Sequence, residues 1–170
     1  MKSVHKIVQL AIVALAFICH GCGIYSFSGA SIPPEARTVS VQYFPNQAQL
    51  VNPVLSNDFT TALRDAVMNQ TPLEMVENGG DLAFEGEIVD YKTMPIAITA
   101  GQTAAMNRLT ITVNVRFSNK FDETKDFETR FSHYEDYPSE QELTAVQEAL
   151  CTTIIEALVE NIFNKALVNW

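Results

Sequence analysis

The sequence predicts an α+β fold, a two-layer sandwich with two amphipathic helices packed on one face of a mixed sheet of about five strands. Three observations carry this. Leu109, Ile111, Val113, Val115 and Phe117 alternate without a fault against Thr110, Thr112, Asn114, Arg116 and Ser118, the period-two signature of a strand with one buried face. Residues 55–67 and 143–166 instead repeat apolar side chains at helical spacing. Elements with one apolar side must bury it against a second layer, and a single set of strands and helices gives one core.

The elements follow in order. Lys2 and Lys6 precede an apolar run from Ile7 to Ile18 broken only by Gln9, which reads as a signal peptide. A run of about a dozen residues falls short of the ~20 that span a bilayer as a helix. Gly21 suits the small position before a lipoprotein cleavage site, whereas Ile18 before Cys19 does not, so the cut is expected between Gly21 and Cys22. Cys22 then becomes the site of a covalent lipid anchor. One chain of fourteen carbons binds a membrane marginally at about 0.8 kcal/mol per methylene, so the two or three chains of a bacterial lipoprotein hold durably. The alternative is an ordinary secreted protein in which Cys22 is the first of several loop cysteines. The expected organisation is a removed leader over 1–21, a lipid-anchored lead segment over 22–35 and a single domain over 36–170.

Val39, Val41 and Tyr43 alternate with Ser40 and Gln42 as a first half-buried strand, ended by Pro45. Asn52-Pro53 supplies an N-cap and an N1 proline for a helix whose stripe is Leu55, Phe59, Ala62, Leu63, Ala66 and Val67. Residues 73–76 form a short second strand, parallel to the first if both share a sheet, because a helix connects them. After the turn Asn78-Gly79-Gly80, residues 82–91 form a strand with Leu82, Phe84, Gly86 and Ile88 on one face and Glu85 and Glu87 on the other. Residues 93–107, with Pro95 and Gly101, read as a loop or irregular hairpin tip. The alternating strand from Leu109, a charged turn over 122–126 and a strand over 127–134 complete an antiparallel meander. Ser139 followed by Glu142 is a capping box for the last helix, whose stripe runs Leu143, Val146, Leu150, Ile154, Leu158, Ile162 and Ala166.

Taking 21 leader residues from 170 leaves 149, enough for one core. Two of the eleven basic residues lie in the leader, so nine remain against twenty acidic ones, a net charge of about −11. That balance argues against nucleic acid and against a basic grip on anionic headgroups, leaving the lipid to attach the protein to the membrane. Cys151, amid apolar residues, reads as a buried core residue, and after cleavage His133 is the last histidine. No nucleophile elbow, P-loop, dinucleotide fingerprint or metal-ligand spacing is present, so no catalytic residue, metal or cofactor is assigned beyond the lipid on Cys22. Glu85 and Glu87 read as solvated strand acids and the run from His133 to Tyr137 as a strand end whose rings cap the core. An enzyme would require a pocket gathering Glu85, Glu87 and His133. The row Thr110, Thr112, Asn114 and Arg116 is either a plain solvated face or one that docks against a partner, since it hydrogen-bonds without dense charge. Arg108, Arg116, Lys120, Lys125 and Arg130 cluster there, offset by Asp122, Glu123, Asp126 and Glu128.

Cys22-Gly23-Ile24-Tyr25-Ser26-Phe27-Ser28-Gly29 resembles the start of mature LptE, the lipoprotein of lipopolysaccharide assembly. Gly101-Gln102-Thr103-Ala104-Ala105 followed by the strand from Leu109 to Val115 is similar to that family's loop and long alternating strand. The resemblance implies a non-catalytic lipoprotein on the periplasmic side of the outer membrane that plugs the LptD β-barrel translocon and assists its assembly and lipopolysaccharide export. It implies lipidation, as by palmitate, at Cys22. Candidate contacts with the barrel or with lipopolysaccharide are Gly101, Gln102, Thr103, Asn107, Arg108, Thr110, Thr112, Asn114, Arg116 and Lys120. The alternative from another class is a free-standing periplasmic lipoprotein that binds a ligand or helps assemble a different envelope or secretion complex.

Overall fold

The computed structural model describes residues 32–50, 52–96 and 105–168. Five strands, β1 (Thr38–Val41), β2 (Glu74–Val76), β3 (Leu82–Ile96), β4 (Met106–Asn119) and β5 (Phe127–Pro138), form one sheet in the order β2-β1-β3-β4-β5. The helices are α1 (Leu55–Gln70) and α2 (Leu143–Leu167). β1 pairs parallel with β2 and β3, and β3, β4 and β5 run antiparallel, which is the mixed sheet expected. Both helices pack on its apolar face and against one another.

The alternation of β4 is reproduced residue for residue. Leu109, Ile111, Val113, Val115 and Phe117 are buried beneath the helices, and the intervening residues face away. α1 contributes Leu55, Phe59, Leu63 and Val67, and α2 contributes Ile154, Leu158, Ile162 and Phe163. Each such side chain stabilises the fold by about 1.5–3 kcal/mol when fully buried. Phe84, Phe117 and Phe127 form a row with ring centroids 4.9 and 5.5 Å apart across three strands.

Several expectations are corrected. Tyr43 does not continue the first strand's inner face: it is 57 % exposed, because the chain leaves the sheet after Val41 and turns Phe44 into the core. The Phe44 amide donates to the Thr60 hydroxyl at 3.1 Å and its ring meets Phe59 edge-on at 5.1 Å. Ser40, expected on the outer side, is buried, and its hydroxyl accepts from the Gly80 amide at 3.2 Å. Residues 93–96 and 106–107 are strand, not loop: Thr93 pairs with Leu109 and Ile96 with Met106. A β-bulge between Ile88 and Asp90 adds one residue, so Tyr91 returns to the buried face. β5 likewise runs on from residue 134 to Pro138.

The two predicted helix starts also differ. Asn52 is not the N-cap of α1. Its side-chain oxygen accepts from the Val54 amide at 3.2 Å, organising a turn before the helix begins at Leu55. The capping box does not form, because the Ser139 amide donates to the Ala105 carbonyl at 3.1 Å and so extends the sheet, while Glu142 precedes the helix without a side-chain bond.

Gly86 is where the sheet admits Phe44. A Cβ built there would lie 2.7 Å from the Phe44 ring and 2.0 Å from the Asn114 carbonyl oxygen, so any side chain collides with both. Among the described residues no helix is long and apolar enough to cross a membrane.

Candidate partner-docking face

Among the described residues the sheet's other face is uncovered. On β4 it presents Arg108, Thr110, Thr112, Asn114 and Arg116, between Glu85, Glu87, Asp90, Lys92 and Met94 of β3 and Glu128, Arg130, Ser132, Tyr134 and Asp136 of β5. The eight-residue step from Arg108 to Arg116 extends about 27 Å.

Most of these groups are tied to one another across strands. Arg116 lies between two carboxylates, Nη1 at 3.3 Å from Glu85 Oε2 and Nε at 3.5 Å from Glu128 Oε2. Glu85 also accepts from the Gln42 amide at 3.0 Å, and Glu128 from the Asn114 amide at 2.9 Å. The Thr112 and Ser132 hydroxyls are 3.0 Å apart. Arg108 forms a bidentate pair with Asp136, at 2.7 and 2.9 Å, and its guanidinium lies 3.6 Å from the centroid of the Tyr134 ring. Isolated surface pairs contribute only about 0–1 kcal/mol, but a planar bidentate fork stacked on an aromatic ring is held in one geometry.

The row is therefore lightly charged in net terms for a different reason than its composition suggested: its charges are internally neutralised. Arg108, Thr112, Asn114 and Arg116 share one face in three separate cross-strand groups: Arg108 with Asp136 and Tyr134, Thr112 with Ser132, and Asn114 and Arg116 through Glu128. Thr110 lies in the same row opposite Tyr134, whereas Asn107, opposite the buried Tyr137 near the hairpin end, falls on the other side of the sheet. Lys120 is not part of the row. It lies beyond the opposite end of β4, pairing with Asp81 at 3.5 Å, where Asp81 also accepts from the Arg37 and Thr38 amides. Gly101, Gln102, Thr103 and Cys22 fall outside the described residues.

Sequence reasoning missed the contribution of β5. Tyr134, expected to cap the core, is 49 % exposed on the outer face, and Met94, paired with Arg108, is 50 % exposed beside it. Tyr137 does reach the core, its hydroxyl 2.7 Å from that of Thr93. The period-two pattern of β5 carried this signal, since residues 128, 130, 132, 134 and 136 share one face. Glu85, read as solvated, is instead paired. Glu85 and Glu87 lie on the outer face whereas His133 pairs with Ile111 on the inner one, so no pocket gathers the three. Among the described residues no group of three or more His, Cys, Asp or Glu side chains is placed to hold a metal ion.

The pairing perturbs the carboxylates. The Arg108 hydrogen bonds hold Asp136 below its ordinary value, the Asn114 amide and then Arg116 do so for Glu128, and the Arg37 amide leads the same effect on Asp81. Groups depressed in the folded state stabilise it above the unfolded carboxylate range and lose that contribution as pH falls through their folded values. The urea midpoint is expected to hold between pH 7 and about pH 5 and to drop below about pH 4, followed by circular dichroism. A midpoint that rises on acidification below pH 4 contradicts this assignment.

A family model described as LptE, lipopolysaccharide-assembly, matches residues 36–166. No curated protein sequence matches the chain. Among solved structures, a minor lipoprotein from Acinetobacter baumannii is 11 % identical with a TM-score of 0.51, covering 76 % of this chain and 91 % of that one. A hypothetical protein from Chlamydia trachomatis is 9 % identical at a TM-score of 0.51, covering 79 % and 100 % respectively. A putative neuraminyllactose-binding hemagglutinin homologue from Helicobacter pylori is 7 % identical at 0.51, covering 82 % and 87 %. At these identities the likeness shows the fold alone.

Proposed function

The chain belongs to the LptE family of lipopolysaccharide assembly, and from that premise we propose that it is a non-catalytic, lipid-anchored subunit that plugs the lumen of an LptD-type outer-membrane β-barrel. In this role it assists assembly of the barrel and passage of lipopolysaccharide to the cell surface. Cys22 carries the lipid, and the uncharged stretch from Gly23 to Ser28 keeps the domain on the periplasmic side of the outer membrane.

The observation that supports this reading best is the pre-paired outer sheet face. A surface that enters a barrel must lose water, and burying a charge is costly unless it is paired and hydrogen-bonded. Glu85, Arg116, Glu128, Arg108 and Asp136 already pair with one another, so docking strands few of the face's charges, Glu87 and Arg130 being the ones left for a partner to meet. At the hairpin end, Arg108, Tyr134 and Met94 offer the residue types enriched in interfaces. The polar interior of a barrel matches such a face.

Detergent extraction is expected to recover the protein with a large β-barrel partner. Arg108→Glu combined with Tyr134→Ala should lower that recovery at least tenfold while leaving the far-ultraviolet circular dichroism unchanged. Recovery of the lipoprotein alone under mild extraction would overturn the proposal. Depletion separates it from the free-standing lipoprotein reading, which predicts normal surface lipopolysaccharide and a correctly placed barrel.

A further inference from the structure

The helical layer carries a groove that docking through the sheet leaves unoccupied. Where α1 and α2 lie side by side, a cleft of about 600 Å³ opens between Asp58 and Ala62 on one wall and Glu148, Cys151 and Glu156 on the other. Past Ala62 and Glu156 it continues into a second hollow of about 430 Å³, lined by Ala66, Val159, Glu160 and Phe163. The acidic positions on α2 run from Glu148 to Glu160, about 18 Å along the helix. The small side chains of Ala62 and Ala66 leave the space along this line unfilled.

The charges along the groove point to a cationic occupant. Asp58, Glu148, Glu156 and Glu160 flank it, no lysine or arginine lines it, and none of the four has an ion-pair partner among the described residues. The cations of the two helices are turned elsewhere. Arg64 donates to the Val41 carbonyl at 3.1 and 2.7 Å, and Lys165 lies 5.1 Å from the Phe127 ring. Asn52 and Cys151 form the floor of the wide end and are linked at 3.7 Å.

From this arrangement we infer that the α1–α2 groove receives a basic amphipathic segment of a partner protein. The segment's apolar side rests on Ala62, Ala66 and Val159, and its lysine or arginine heads lie among the four carboxylates. The elongated line of apolar floor and spaced carboxylates matches a segment presenting a charge every turn, as in helix-in-groove recognition, better than a compact molecule. This does not depend on the barrel reading, because the groove lies on the face opposite the paired row.

The test uses the intact lipidated protein in nanodiscs of neutral lipid, with empty discs as the blank. The probe is a fluorescein-labelled 18-residue helical peptide of leucine and lysine, compared by anisotropy with the same peptide carrying glutamate for lysine. The lysine peptide should bind and the glutamate peptide should not. Combining Glu148→Gln, Glu156→Gln and Glu160→Gln should weaken binding at least tenfold. The same charge change made away from the groove, with Glu74→Gln, Glu77→Gln and Glu140→Gln, should alter it less than twofold. Ala62→Trp fills the groove at unchanged charge and should abolish binding. Equal losses in the two triple variants, unaltered binding by Ala62→Trp, or full displacement of the peptide by equimolar spermine would each overturn the inference.

Discussion

Replacing Gly86 with alanine is expected to destabilise the domain by about 3 kcal/mol. The new Cβ would meet the Asn114 carbonyl oxygen at 2.0 Å and the Phe44 ring at 2.7 Å. Neither can move freely. Asn114 lies in the centre of β4, paired on both sides, and the fully buried Phe44 ring is held by Phe59 and by its amide bond to Thr60. Chemical denaturation followed by circular dichroism measures the cost. A companion Phe44→Leu exchange in the Gly86→Ala background should restore only part of it, because the backbone clash remains. A loss below about 1 kcal/mol for Gly86→Ala would show that the strands separate more easily than their pairing implies.

Cys22→Ala is expected to remove the protein from the outer-membrane fraction more than tenfold and to reduce recovery of the barrel partner with it. The reason is additive burial: each acyl methylene contributes about 0.8 kcal/mol, so losing two or three chains removes the direct attachment to lipid, which a chain of net charge about −11 does not replace by a basic grip on headgroups. Cell fractionation with immunoblotting reads the distribution. Intact mass of the purified wild-type protein checks the cause directly, since an unmodified thiol on Cys22 would refute lipidation whatever the fractionation shows.

How much was legible differs between the two faces of the sheet. On the inner face, the alternation of β4 and the stripes of both helices named the core correctly, because burial selects apolar side chains one position at a time. Tyr43 misled for a reason of the same kind. Alternation continued past Val41, but pairing did not, and the following Phe44 had a better place against Phe59 and over Gly86. On the outer face the residues of the row were legible and their relations were not. Arg116 and Glu128 are twelve residues apart, Arg116 and Glu85 thirty-one, and only the register of β3 and β5 on β4 puts them together. The extension of the hairpin to Ile96 and Met106 was hidden by Pro95, which is tolerated where the strand has no neighbour on its other side.

By itself the sequence determined the kinds of element, their order and which side of each is apolar, since these depend on neighbours within a few positions along the chain. The tertiary structure decided three further things: the bulge that returns Tyr91 to the core, the neutralisation of the outer face by cross-strand pairs, and the acidic groove left between α1 and α2. Each is a matter of distance between segments far apart in the chain. Periodicity fixes which face a side chain takes, but not which residues of distant strands pair or how far apart the helices lie, which are set by how whole elements pack.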